Sequence, residues 1–245
     1  LAEVSDARPR SIGRAQMPTW RLDDGHQTLV LAAEGEALPG VIYWGAPLPE
    51  AEDLQAVSDA AQADLSGGMI DALPPLTLCP GIGLQGQPAL VARHLDGTPL
   101  QPVWRRQDVL TTGRGLMVMA GDIDLGLAYW ARIDVTGSGL ITLSAGLEAD
   151  EPIVVHWFAA PVLPGPQAGA EIVDVSGRWL SEFQLQRTPW QAGIRLREAV
   201  TGRSGHEHFP GVYLPARGTD NTTGAVHALH YGWSGGHRMV AEELP

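Results

Sequence analysis

Apolar and polar residues alternate over much of this chain, the period of a strand with one buried face. The clearest stretch is 125–135. There Leu125, Leu127, Tyr129, Ala131, Ile133 and Val135 interleave with Gly126, Ala128, Trp130, Arg132 and Asp134. Gly137-Ser138-Gly139 follows as a turn, and Ile141, Leu143, Ala145 and Leu147 alternate again, so the two stretches predict a hairpin. Shorter strands are predicted at 28–33, 41–44, 89–95, 171–175 and 179–186. Residues 153–159 are apolar with little alternation, which predicts a strand buried on both faces. One segment has helical spacing instead. Leu54, Val57, Ala61 and Leu65 recur within 49–65, and Glu50, Glu52 and Asp53 stand near its start, where acids suit a helix N-terminus.

The last fifth of the chain carries most of the polar chemistry. In 191–200, Ile194, Leu196 and Val200 share one face and Arg195 and Arg197 the other, predicting a strand with its apolar side inward. Gly202 and Gly205 then permit a sharp turn. A polar loop is expected through Gly202-Arg203-Ser204-Gly205-His206-Glu207-His208-Phe209-Pro210 and on to Asp220-Asn221-Thr222-Thr223. A strand at 225–231 follows, ended by Trp233-Ser234-Gly235-Gly236.

Many short antiparallel strands joined by turns imply an all-β sandwich with one short helix. The 30 glycines and 19 prolines among 245 residues supply the turns. Residues 1–18 are polar and aperiodic and read as an N-terminal arm, leaving 19–245 as one domain. A net charge of −12 argues against nucleic-acid and anionic-membrane partners, and no apolar run approaches a bilayer span. Cys79 is the single cysteine, which fits a reducing compartment. The 16 basic residues are all arginine, read as a bacterial coding bias, and no secretion signal is apparent in 1–21.

Several residue groups invite chemistry. His206 and His208, two apart, could share a metal with His227 or His230, against the plainer reading of a hydrogen-bonded loop. Glu182, Glu198 and Glu207 are carboxylates of the kind a glycosidase pairs, against ordinary solvated or arginine-paired groups. Ser204 between Arg203 and Gly205 only superficially suggests a nucleophile. Eight tryptophans could stack sugars but mostly suit packing, with Trp44 and Trp233, beside glycines at strand ends, expected to be the exposed pair.

The order Gly-Arg-Ser-Gly-His-Glu-His-Phe-Pro, a Thr/Gly step, a small-apolar strand and Tyr231-Gly232-Trp233-Ser234-Gly235-Gly236 resembles the N-terminal domain of glycoside hydrolase family 36 α-galactosidases. That family runs roughly Gly-Arg-Thr-Ser-His-x-x-Asn-Pro-Phe, then Gly-x-Val-Tyr-Gly, then Tyr-Ser-Gly-Asn. Phe209 and Gly236 stand where asparagines usually do, so the chain looks like a divergent member. Leu22-Asp23-Asp24-Gly25 through Tyr43-Trp44-Gly45 resembles the domain's opening strands, and Gly177-Arg178-Trp179-Leu180-Ser181-Glu182-Phe183 its Gly-x-Trp-x-x-Glu segment.

The resemblance implies an antiparallel β-super-sandwich related to galactose mutarotases, cut short at its C-terminal end. It implies a retaining parent enzyme whose catalytic aspartates lie on a (β/α)₈ barrel following this domain. The family's Lys-Trp-Asp nucleophile motif is absent, so no catalytic residue, cofactor or metal is expected in this chain. The implied partners are that C-terminal barrel and further copies of the chain, with galactoside met only through the parent, and the implied location is the bacterial cytoplasm. Trp44, Glu52 and Asp53 are the candidates for a substrate rim. Gly202, Arg203, His206, His208, Trp233 and Gly235 are expected to form a structural motif. Two other readings stay open: a free-standing carbohydrate-binding module, and an aldose 1-epimerase-like enzyme.

Overall fold

The computed structural model describes residues 16–62, 73–79, 86–166, 169, 171–203, 205 and 207–243. Most of the expected arm, the last residues of the expected helix, Ser204 and His206 therefore lie outside the described residues. The chain forms two compact units, Leu1–Leu84 with Pro88–Leu163, and Gln85–Gln87 with Pro164–Pro245.

The first unit contains β1 (Thr19–Asp23), β2 (Thr28–Ala32), β3 (Gly40–Gly45), α1 (Leu54–Ala61), β4 (Leu90–His94), β5 (Pro99–Leu100), β6 (Arg105–Thr112), β7 (Gly115–Asp122), β8 (Leu127–Val135), β9 (Ile141–Ala149) and β10 (Ile153–Phe158). They build three antiparallel sheets, ordered β1-β2-β3, β10-β4-β5 and β6-β7-β8-β9. The alternation on β8 is realised in full. Leu127, Tyr129, Ala131, Ile133 and Val135 are buried, while Ala128 and Arg132 are exposed. The predicted hairpin closes with Val135 opposite Ile141, its turn resting on positive φ at Gly137 and Gly139. Trp130 faces Gly146 across the pair, and its ring occupies the space a Cβ there would need.

Two expectations change. The strand at 153–158 is not buried on both faces: Val154 and Val155, consecutive residues that point to opposite faces of the sheet, are both exposed, so neither face is covered there. The helix is shorter at its start than its apolar spacing suggested. Asp53 takes the N-cap position and its carboxylate accepts from the amides of Gln55 and Ala56, so 49–52 stay outside the helix.

Around β8 lies the larger core. Tyr129 packs against Trp104 at 5.5 Å between centroids and edge-on to Phe158 at 6.2 Å. Trp104 Nε1 donates to the buried Cys79 Sγ at 2.9 Å, and burial pushes the Cys79 thiol up to about 11.

The second unit contains β11 (Glu171–Arg178), β12 (Ser181–Pro189), β13 (Gly193–Ala199), β14 (His208–Pro215), β15 (Val226–His230) and β16 (His237–Glu243). Four of these form the sheet β12-β11-β14-β15, and β13 and β16 pair separately. Its apolar cluster is small: Ile172, Val212 and Leu214, with Trp190, Leu229, Met239 and Ala241 packed against them. The stretch read as one polar loop after residue 202 contains a full strand, β14, so His208, Phe209 and Pro210 are sheet residues. The fold is all-β and antiparallel, with one short helix among the described residues.

The Tyr129 hydroxyl is buried with no hydrogen-bond partner among the described residues. Removing an unpaired buried hydroxyl relieves its desolvation cost. Tyr129→Phe is therefore expected to hold or raise the denaturation midpoint, while Tyr129→Ala lowers stability by about 3–5 kcal/mol through the cavity it leaves. Urea unfolding of the three proteins checks both; a marked loss in Tyr129→Phe would show that the hydroxyl is bonded.

Candidate functional site

The polar centre of the second unit is Asp174 on β11, only 1% exposed. Its carboxylate accepts from Arg195 Nη2 at 3.2 Å and from Arg197 Nε at 3.3 Å. A buried carboxylate without cations would cost several kcal/mol. That requirement sets which way β13 faces. The arginines turn inward, and Ile194 and Leu196 are left 51% and 45% exposed, the reverse of the expected facing. Val200, beyond the strand, is exposed as well. His208 lies nearby on β14, where it pairs with Ser176 of β11. Its Nδ1 is buried with no hydrogen-bond partner among the described residues. Burial first, and then the Arg197 charge, lowers the His208 pKa below its ordinary value.

The β11–β12 hairpin gives the Gly-x-Trp-x-x-Glu segment a physical meaning. A Cβ at Gly177 would lie 2.6 Å from the Ser181 carbonyl oxygen and 2.7 Å from the Glu182 Cα, so the strands cross here only over glycine. Arg178 pairs with Ser181, and Trp179-Leu180 forms the tip. Glu182 Oε1 accepts from the Leu180 amide at 3.0 Å and closes the tip. Leu180 and Phe183 both adopt left-handed backbone, with φ of 65° and 54°. Each costs roughly 1–2 kcal/mol in an L-residue without compensation. The result is a hairpin whose Trp179 (73%) and Phe183 (77%) stand in solvent.

Phe183 forms one wall of a cleft of about 580 Å³. Phe209, His230, Tyr231 and Trp233 line it too, with Glu182 at its edge. Two of these rings rest on glycine backbone. A Cβ at Gly211 would meet Phe209 Cε1 at 2.6 Å, and one at Gly235 would collide with Trp233 Nε1. Phe209 also packs on His230 at 5.3 Å between centroids. Here Gly235 and Trp233 of the expected structural motif act together. Gly202, at φ 76°, turns the chain after β13, and Arg203 is exposed beside it.

The other candidates lie elsewhere. Glu198 pairs with Arg238 at 2.6 Å. Glu207 and His208 line a second, shallower cleft with Gln184 and Gln186. Trp44 of the first unit is half-buried and donates to Gln27 Oε1 at 2.8 Å, so the exposed tryptophans are Trp179 and Trp233 and not Trp44 and Trp233. Asp53 is the helix cap, and half-buried Glu52 precedes it in a turn closed by its amide on the Pro49 carbonyl. Arg21 on β1 fixes this approach by donating to the Leu48 and Pro49 carbonyls at 2.7 and 2.8 Å. Among the described residues no three His, Cys, Asp or Glu side chains converge as metal ligands do, and His206 lies outside them. Sequence reading gave no site role to Phe183, which it placed only in the Gly-x-Trp-x-x-Glu segment, or to Asp174. No local pattern marks the first; the second had a signal in the paired arginines of 191–200.

Two outcomes follow from the Asp174 centre. Asp174→Asn leaves two arginine charges unmatched and is expected to cost about 3 kcal/mol in chemical denaturation, less than a fully buried pair because each arginine is partly exposed. A change under about 0.5 kcal/mol, the size of an ordinary surface substitution, would show the pair to be energetically idle. For His208 the folded pKa is lowered, so the unfolded chain takes up this proton more readily. Its contribution is intact above the ordinary histidine value of about 6.5 and is lost as pH falls below that towards the folded value. The melting temperature should fall between about pH 7.5 and about pH 5.5, and less steeply in His208→Asn; parallel curves would remove His208 from the pH response.

Comparison with known proteins bears on all of this. Residues 37–245 match the glycosyl hydrolase family 36 N-terminal domain. The chain is 31% identical over 228 residues to an α-galactosidase of Escherichia coli, a match covering 91% of this chain and 31% of that enzyme. It is 26% identical over 145 residues to α-galactosidase AgaA of Geobacillus stearothermophilus, covering 58% of this chain and 19% of AgaA. The crystal structure of AgaA shares the fold, with a TM-score of 0.79 at 18% identity over 93% of this chain and 36% of that one. The chain thus spans a third or less of the length of these curated relatives. The order of motifs, the antiparallel fold and the family match over 37–245 agree, and the chain belongs to the glycosyl hydrolase family 36 N-terminal domains.

Proposed function

We propose that this chain is the non-catalytic N-terminal domain of a retaining α-galactosidase, a single domain over 19–245 preceded by an arm at 1–18. The observation that carries the reading is the family match over 37–245 combined with the fraction of each relative that the chain spans. The commitments of the carboxylates support it. Retaining hydrolysis needs two carboxyl groups about 5–5.5 Å apart across the scissile bond. Asp174 is held by two arginines, Glu198 by Arg238, and Glu182 caps a hairpin tip.

In this reading the chemistry belongs to a C-terminal (β/α)₈ barrel of the parent protein. The domain packs against that barrel and supports assembly of a homo-oligomer. Trp44, Glu52 and Asp53 stand at the rim where the parent meets its galactoside. The reaction is carried by carboxylates and calls for no metal or cofactor. No helix among the described residues is long and apolar enough to cross a membrane. The proposed location of the parent is the bacterial cytoplasm, from the arginine-only basic residues and the single cysteine.

The test is an activity assay on the purified chain. It is expected to release no nitrophenol from p-nitrophenyl α-galactoside, while a protein joining it to its family's barrel does. Turnover by the chain alone that disappears in Glu182→Gln or Glu207→Gln would overturn the reading and place the chemistry in this domain.

A further inference from the structure

The function proposed above assigns no role to the cleft beside the β11–β12 hairpin, whose lining has the make-up of a small-molecule site. Phe183, Phe209, Tyr231 and Trp233 present aromatic surface to one space of about 580 Å³, within the range of small-molecule sites. The positions of three rings are determined by the backbone. Phe209 and Trp233 lie against glycines that admit no Cβ, and Phe183 is held outward by left-handed backbone. Strain of that kind persists only where the surroundings enforce it, and it concentrates at ligand-contacting positions.

The chemistry of the lining selects the occupant. Among the described residues that line the cleft there is no arginine, and Glu182 is the one carboxylate, so an anionic ligand is disfavoured. Glu182, His230 and Tyr231, all lining residues, carry hydrogen-bonding groups as well as apolar surface. A ligand that needs both a flat apolar face and several hydroxyl partners is a pyranose. In a galactopyranoside the axial C4 hydroxyl leaves C3–H, C4–H and C5–H together on one ring face, which suits stacking on an aromatic side chain. A quaternary ammonium ion would also favour aromatic rings and a carboxylate, but it has no use for the hydrogen-bonding groups.

We infer that this cleft binds a neutral galactopyranoside, with one sugar face stacked on Trp233 and Phe183 and the hydroxyls bonded by Glu182 and His230. It is a non-catalytic sugar site of the second unit.

Saturation-transfer difference NMR on the whole chain with methyl α-D-galactopyranoside tests it. Transfer is expected to be saturable and strongest at H3, H4 and H5, with millimolar affinity. Trp233→Ala should weaken binding by about tenfold or more, the loss of one stacked ring. Phe183→Gly should do the same while melting no lower than the parent, because glycine accepts the left-handed backbone without strain. This second variant separates a lost contact from a lost fold. Leu95→Ala, exposed in the first unit, should leave binding unchanged. Absence of saturable transfer, transfer equal in both cleft variants and the parent, or displacement of the sugar by tetramethylammonium at lower concentration than the sugar itself would each overturn the assignment.

Discussion

A buried carboxylate must be neutralised where it stands, and in the second unit that carboxylate is Asp174. It sits in the middle of β11, between its neighbours β12 and β14, and is almost wholly removed from water. Hydrophobic burial there is modest, so the polar pair carries an unusual share of the specificity with which β13 and β16 face the larger sheet. Meeting its charge requires Arg195 and Arg197 to turn inward together. Because side chains alternate along a strand, Ile194 and Leu196 then have no choice but to face out. One charge thus inverts the facing of a strand, against its own hydrophobic preference. It also sets the electrostatic surroundings of His208, which feels Arg197 and Asp174 at once with opposite sign.

The hairpin beside this centre uses a different constraint, close backbone approach. Gly177 lets β11 and β12 cross where any side chain would collide with Ser181 and Glu182. The tip is then closed by a carboxylate on an amide, and two L-residues are left in conformations they avoid elsewhere. Local strain is tolerated because the paired strands on either side over-determine it. Gly211 and Gly235 repeat the device for Phe209 and Trp233. The aromatic cleft is therefore a consequence of three glycines and two strained positions, and none of these is apolar patterning.

The first unit works by more ordinary means. Its core gathers inward residues from consecutive strands, and β8 alone contributes five fully buried side chains at alternate positions. Tyr129, Trp104 and Phe158 add directional contacts to a cluster that burial already defines. Polar groups here serve geometry: Asp53 caps the helix, and Arg21 holds the chain that leads into it.

Where burial alone decided an element, the sequence sufficed. The period of two over 125–135, the Gly-Ser-Gly turn and the renewed alternation after it predicted the β8–β9 hairpin, because each side chain's environment there follows from its own polarity. The family was legible for a related reason, since it rests on the order of glycines, aromatics and polar residues that close turns and crossings demand locally. Tertiary structure decided the rest. That Ile194 and Leu196 face water depends on an aspartate twenty residues away. That Val154 and Val155 are exposed depends on whether other elements cover the two faces of β10, which its own apolar run does not specify. That Trp233 joins Phe183, Phe209 and Tyr231 depends on a sheet order, β12-β11-β14-β15, in which distant strands become adjacent. Such facts belong to pairs of residues far apart in the chain, and no local pattern of polarity encodes a pairing.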